Sequence, residues 1–289
     1  MMTVRQLIET KLALLSPSEK RIARLIVEKY PVSALGGIED IARQGQVSAP
    51  TVTRFVRRLG FHRFVDFQRA IRLEVQDQET SPLALLQKHR AGPMADGDQR
   101  DTALIDDLAN SIRNLTTPAV TAALDSAALL LADGRARITT LGGRWSSIAA
   151  QYLAFQMSSL RGEVHVLTQP ASGVREDRIA DFTRRDVLVA YDFRRYAPET
   201  IAFCQTARQR GVRLVLFTDP DLSPICDVAD VTIQVAVATT SPMDTLAPAI
   251  AASDALLARL VGLLGAQATQ RMAMLETLRR AASGPVKTL

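Results

Sequence analysis

The chain has 289 residues, 47% hydrophobic and 22% charged, which excludes wholesale disorder and leaves room for one large or two ordinary domains. Its two cysteines, Cys204 and Cys226, form no CxxC pair and sit near no histidine cluster, which argues against a disulfide framework or a zinc site. The net charge of +5 is concentrated: residues 1–80 hold 13 Lys/Arg against 9 Asp/Glu, and the rest hold 22 against 21.

The opening "MMTVRQLIETKLALL" carries charges inside its apolar run and does not read as a secretory signal. No uncharged stretch approaches the ~20 residues of a membrane span, so a soluble cytoplasmic protein with no membrane partner is expected. Residues 3–75 read as successive short helices. In "SPSEKRIARLIVEKY", Ser16 and Glu19 have capping-box spacing, and Ile22, Leu25 and Ile26 repeat at helical intervals. In "IEDIARQGQVSAPTVTRFVRRLGF", Ile38, Ile41 and Ala42 form one inner face and Gly45-Gln46-Val47 a turn. Ser48 is the expected cap of a second helix, Pro50 lies in its first turn, and Val52, Phe55 and Val56 face inward.

That spacing is the helix-turn-helix pattern. Ala49, Thr51, Thr53, Arg54 and Arg57 are the expected outward positions: small and hydroxyl groups suit base edges and thymine methyls, and the arginines suit guanine or phosphate. Residues 43–72 carry seven arginines and one acid, Asp66. Arg58, Arg63, Arg69 and Arg72 extend this basic surface toward phosphate, the electrostatic footprint of a nucleic-acid binder. The plain alternative is a helical bundle with a solvated basic face.

Residues 77–101 lose apolar periodicity and gather Gln, Asp, Gly and Pro, which reads as a linker between domains at 1–76 and 102–289. Helical patterns at 103–115 and 118–132 lead into the apolar strand "RARITTLGG". Further strand-like runs lie at 163–167, 186–191, 212–217 and 230–235, with helical segments between most of them. The expected fold is therefore an all-α N-terminal domain followed by an α/β domain with a five-stranded parallel doubly wound sheet. The Ala- and Leu-rich C-terminal helices read as core or oligomer interface.

In flavodoxin-like strand order, strands one and three lie side by side with a crevice at their carboxyl ends. Strand one ends in "LGGRWSSIAA" and strand three in "AYDFRRYAPET", each followed by a helix whose N–H groups favour an anion. Arg144, Arg194 and Arg195 supply planar donors suited to carboxylate or phosphate. Asp192 is placed to orient an arginine or accept a ligand hydroxyl, and Tyr196 offers a ring and a hydroxyl. Alternatively Arg194 and Arg195 pair with acids and brace the loop or a dimer contact. Trp145 and His165 read as packed residues, and Thr218 and Ser223 as the crevice edge.

The pieces "LSPSEKRIARLIVEKYP", "IEDIARQGQVSAPTVTRFVRRLGF" and "FVDFQRAIRLEV" resemble the N-terminal domain of RpiR/MurR-type bacterial transcriptional regulators, which join a helix-turn-helix to a sugar isomerase (SIS) domain. The resemblance implies a SIS sheet that senses phosphosugars or related metabolites. Gln46 departs from the family, whose turn carries glycine there, so Gly45 is expected to take the strained backbone role. "GGRWS" is similar to the GxGxS turn of SIS domains at Gly142 and Ser146, with Gly143 and Ser147 beside them and Arg144 replacing the second glycine. "YDFRRYAPE" stands where the SxSGxTxE loop would be, with Glu199 its match and the hydroxyl cradle replaced by arginines.

The function expected is a DNA-binding transcriptional regulator, a homodimer or homotetramer. It would read a double-stranded DNA operator and respond to a small anionic metabolite: a phosphosugar, sugar acid or other organic acid. No cofactor is expected. The competing reading is a sugar-phosphate aldose–ketose isomerase with Asp192 or Glu199 as base. An architectural DNA binder would leave the α/β domain unexplained.

Overall fold

Ser16 opens a helix on a full capping box: its side chain accepts from the Glu19 N–H while Glu19 accepts from the Ser16 N–H at 2.8 Å. The computed structural model describes residues 3–79, 82–91, 97–167 and 174–283. They divide into two units with the boundary between Lys88 and His89. The first unit begins with α1 (Val4–Lys11), α2 (Pro17–Glu28), α3 (Val32–Leu35) and α4 (Ile38–Gln44), followed by α5 (Ala49–Leu59) and α6 (Phe64–Glu79). Its core gathers Ile8, Ile22, Ile26, Ile41, Val52, Phe55, Val56 and Ile71 around Phe67, whose ring meets those of Phe55, Phe61 and Phe64. Aromatic edge contacts of this kind add to area burial, and here they fasten α6 across α5.

Residues 80, 81 and 92–96 of the expected linker lie outside the described residues. The rest of it is helical, in the end of α6, in α7 (Pro82–Ala91) and in α8 (Gly97–Arg113). A run such as "PLALLQKHRA" needs no apolar stripe to be helical, because Leu, Ala, Gln and Lys are all good helix formers. Lost periodicity marks the joint but not an absence of helix.

After α8 come α9 (Pro118–Ala132), β1 (Arg137–Gly142), α10 (Ser147–Leu160), β2 (Val164–Leu167), α11 (Val174–Ala180) and β3 (Asp186–Tyr191). They are followed by α12 (Pro198–Gln209), β4 (Arg213–Thr218), β5 (Val231–Gln234), α13 (Ala247–Leu264) and α14 (Ala266–Ser283). The five strands run parallel in the order β2-β1-β3-β4-β5, so β1 and β3 are neighbours and the connections reverse between them. Alternate residues serve opposite faces, as the strand period requires. Val187, Val189, Tyr191, Val215 and Phe217 pack under α9, α10 and α13, and Leu188, Ala190, Leu214 and Leu216 pack on the other face with Phe203 and Cys204 of α12.

The helix Ala247–Leu264 is long and apolar enough to span a membrane by length and composition. Its inner residues Ala249, Ala252, Leu256 and Leu260 belong to the sheet-covering core, and its charges are partnered, Asp254 with Tyr152 and Arg259 with Asp125. His165 corrects the sequence reading: β2 is an edge strand, and the imidazole is exposed beside Glu163 rather than buried.

Candidate functional site

In the first unit, α4, a tight turn and α5 form the expected helix-turn-helix, and the turn differs in detail. Gly45 has φ −80, and Gln46 takes the left-handed conformation at φ 50. Glycine at 45 answers a different need: a Cβ there would approach the Ile41 carbonyl oxygen to 3.1 Å. Arg21 holds the turn from α2, donating to the Gly45 and Gln46 carbonyls.

Helix α5 ends on Gly60 in the left-handed conformation at φ 111, and Lys11 Nζ donates to the Arg58 and Leu59 carbonyls at 3.0 and 3.1 Å. At its other end Ser48 occupies the cap position without a capping bond, and its hydroxyl pairs with the Thr51 hydroxyl at 2.9 Å. Thr51 is only 7% exposed and is not an outward residue. It lies four residues before Phe55 and so shares the buried face. Ala49 is half-buried against the core, and Thr53, also half-buried, donates to the Ala49 carbonyl.

Arg54 and Arg57 are exposed; Arg54 donates to the Thr51 hydroxyl, and the Arg57 side chain makes no ion pair or hydrogen bond among the described residues. Arg58 is also exposed, but it is tied down. It pairs with Glu19, which is 4% exposed, and donates to the Leu14 carbonyl at 2.9 Å. Burial raises the Glu19 pKa, but the Ser16 bonds and Arg58 outweigh it, leaving the carboxyl below its ordinary value. Arg63 pairs with Asp66 in the first turn of α6. Arg58 and Arg63 thus carry acidic partners within the bundle while their side chains stay 52% and 75% exposed.

In the second unit, the β1 and β3 loops meet at the carboxyl edge of the sheet. Gly142 is required by contact: a Cβ there would lie 2.5 Å from the Ser147 nitrogen. Ser146 is buried and latches the two loops, accepting from Gly143 N–H at 2.8 Å and donating to the Tyr191 carbonyl at 2.7 Å. The first N–H groups of α10 are already used, Ser147 to Gly143, Ile148 to Trp145 and Ala149 to Ser146, and Ser147 Oγ donates to the Arg144 carbonyl. Neither Ser146 nor the start of α10 is therefore the open anion cradle expected. Trp145 packs against Phe193, as a packed residue should.

The β3 loop is fastened by two acids. Asp192, 2% exposed, accepts from the Ser223 hydroxyl and from the Ala197 N–H at 3.3 Å. Burial pushes its pKa up to about 7, against the Ser223 and Ala197 bonds and with help from the Asp219 charge. Asp219, at the end of β4, accepts from the Arg194 N–H and from the Tyr196 hydroxyl at 2.6 Å. Burial also raises the Asp219 pKa, and burial plus this hydrogen bond raise that of Tyr196.

The Arg194 guanidinium pairs with Asp244, from the segment between β5 and α13. Its Nε is buried without a hydrogen-bond partner among the described residues. Burial lowers the Arg194 pKa; Asp219 and Asp221 oppose this, and Arg195 adds to it. Of the expected ligand residues, Asp192, Arg194 and Tyr196 are thus engaged internally, and Thr218 and Ser223 are fully buried rather than at an open edge. Arg144, Arg195 and Glu199 are exposed and make no ion pair or hydrogen bond through their side chains among the described residues; Arg195 has φ 65. Asp219 and Asp244 were not singled out from the sequence. The only signal for Asp219 is an acid directly after an apolar strand, as Asp192 is after β3.

The α4–turn–α5 unit and the five-stranded parallel sheet define a helix-turn-helix protein with an α/β domain. Residues 2–78 match the helix-turn-helix domain of the rpiR family and residues 130–259 the SIS domain. An uncharacterized HTH-type transcriptional regulator of Haemophilus influenzae is 25% identical over 223 residues, covering 75% of this chain and 74% of that one. The Bifunctional protein glk of Burkholderia orbicola is 27% identical over 221 residues, 76% of this chain, and the chain spans 33% of the length of that relative. The sugar isomerase domain of an RpiR transcription factor from Sphaerobacter thermophilus superimposes with a TM-score of 0.55 at 25% identity, covering 62% of this chain and 97% of that one. The chain belongs to the RpiR family, with its helix-turn-helix domain followed by a SIS domain.

Proposed function

We propose that the protein is a transcriptional regulator that binds a double-stranded DNA operator through α5 and whose SIS domain senses a small anionic metabolite. The observation that carries the first half is the division of α5. Val52, Phe55, Val56 and Leu59 are buried in the bundle, while Arg54 and Arg57 stand in solvent on the opposite side. A helix anchored on one face and cationic on the other suits the major groove, with Arg54 or Arg57 on guanine or phosphate and Thr53 beside them. One such helix reads one half-site, so a homodimer or a homotetramer is the expected operator-bound form.

Arg195 and Arg144, exposed cationic groups on the loops at the carboxyl edge, support the second half, with Glu199 exposed in the first turn of α12. Arginines in place of a hydroxyl cradle suit a compact carboxylate or phosphate. An isomerase reading is weaker, because Asp192 is walled off from solvent and both its oxygens are engaged. Functionally the chain divides into a DNA-binding domain to about residue 76, a joint at 77–101 and an effector and oligomerisation domain from 102. Selection from random duplexes tests the first half. Enrichment of a consensus whose affinity falls steeply with salt is expected, and recovery of unselected sequence would refute it.

A further inference from the structure

The segment between β5 and α13 forms a strap with two outside attachments. Its base is closed by the Thr245 N–H on the Val237 carbonyl at 2.9 Å, and Val235 and Val237 are in the core. Between these points the strap reaches out twice. The Thr240 N–H donates to Asp107 of α8 at 2.8 Å, and Asp244 pairs with Arg194 of the β3 loop. Among the described residues, the strap's other side-chain bonds are local, through Thr239, Ser241 and Thr245.

The Arg194–Asp244 pair is secluded, with side chains 11% and 16% exposed. A guanidinium this buried requires a counter-charge, because an uncompensated buried charge is strongly unfavourable. Asp244 meets that need incompletely. It reaches Arg194 through Nη2, and the buried Nε–H has no acceptor among the described residues. Guanidinium groups bind carboxylate and phosphate best through two parallel N–H donors. A free anion seated across Nε and Nη2 would satisfy the donor that Asp244 leaves idle, and Arg195 lies next in the chain to add charge.

We propose that Asp244 is a built-in stand-in for the effector's anionic group. The effector displaces this carboxylate from Arg194 and thereby frees the 236–246 strap from the effector loop. The proposal rests on reading the carboxyl edge as the effector site. It makes Asp244 a determinant of specificity, since only a ligand that offers Arg194 at least as much charge can replace it. It also gives the bound state a structural consequence, because the freed strap is the one bonded to α8, the helix that leads out of the joint.

The test uses the full chain and inorganic phosphate, at ionic strength matched with sodium chloride, and follows unfolding through the fluorescence of Trp145. Asp244→Asn and Asp244→Ala are expected to bind phosphate at least tenfold more tightly than wild type, a gain lost when Arg194→Gln is added. In case both variants are too unstable, amide exchange on wild type gives a second readout: phosphate should speed exchange at Thr245 and Thr240. Unchanged phosphate affinity in both variants, or greater protection of the strap, would overturn displacement. If Arg195→Ala and Arg144→Ala still abolish phosphate binding in that case, the effector site itself stands. If no arginine substitution matters, both readings fall.

Discussion

Replacing Asp192 with Asn should change how stability depends on pH. Asp192 is 2% exposed, and its folded pKa of about 7 lies above the ordinary 3.8. Between those values the folded state keeps a proton that the unfolded chain has lost. The stabilisation is therefore fully present below about pH 4 and declines as pH rises through about 7. At about 1.4 kcal/mol per pH unit, the interval amounts to a loss on the order of 4 kcal/mol. Asparagine mimics the protonated acid, with its Oδ1 accepting from the Ala197 N–H and its Nδ2 donating to Ser223 Oγ. The variant should escape the decline, so that its advantage over wild type grows from about 1 kcal/mol at about pH 4.5 to about 4 kcal/mol at about pH 7.5. Trp145, the single tryptophan, packs on Phe193 next to Asp192 and reports unfolding of this unit alone. Urea midpoints followed through it from pH 4.5 to 8 are the assay. Curves for the two proteins that stay parallel within about 0.5 kcal/mol would refute a buried, protonated Asp192.

Other outcomes separate recognition from support. Arg57→Ala should leave the unfolding midpoint unchanged and reduce the salt slope of DNA binding by about 1, as read by fluorescence anisotropy. Arg58→Ala should instead cost about 1–3 kcal/mol of stability in denaturant titration, because it strips buried Glu19 of its cation and the Leu14 carbonyl of a donor. Gly142→Ala should destabilise the second unit by roughly 2 kcal/mol or more in thermal unfolding, since its Cβ collides with backbone atoms that cannot yield. Gln46→Gly should stabilise the first unit by up to about 1 kcal/mol, because a left-handed non-glycine residue costs roughly 1–2 kcal/mol and glycine's added chain entropy offsets part of that gain.

Much of the fold was legible because it depends on local pattern. Apolar β-branched runs ending in Gly142 or Asp192 read as strands, and the β1–β3 neighbourhood followed from doubly wound order. The Ser16–Glu19 box and the Val52, Phe55 and Val56 anchors read as helices in the same way. Errors arose where a residue's role depends on distant chain. Thr51 reads as polar and outward, but a hydroxyl satisfied by Ser48 and Arg54 sits comfortably on the buried face. His165 alternates like a core residue, yet β2 has a neighbour on one side only. Arg194 and Arg195 are adjacent and look equivalent. Asp219 and Asp244, 25 and 50 residues further on, distinguish them by engaging the backbone and guanidinium of Arg194.

The central claim is that an anion at the carboxyl edge controls DNA binding. Its most direct measurement is the affinity of the full chain for its selected duplex, titrated against sugar phosphates, sugar acids and simple organic acids. Wild type and Arg195→Ala would be compared. The account predicts that at least one anion shifts the Kd by roughly 5- to 150-fold, and that Arg195→Ala abolishes the shift while binding the duplex normally without the anion. A duplex affinity indifferent to every such anion, or a shift that survives Arg195→Ala unchanged, would contradict it.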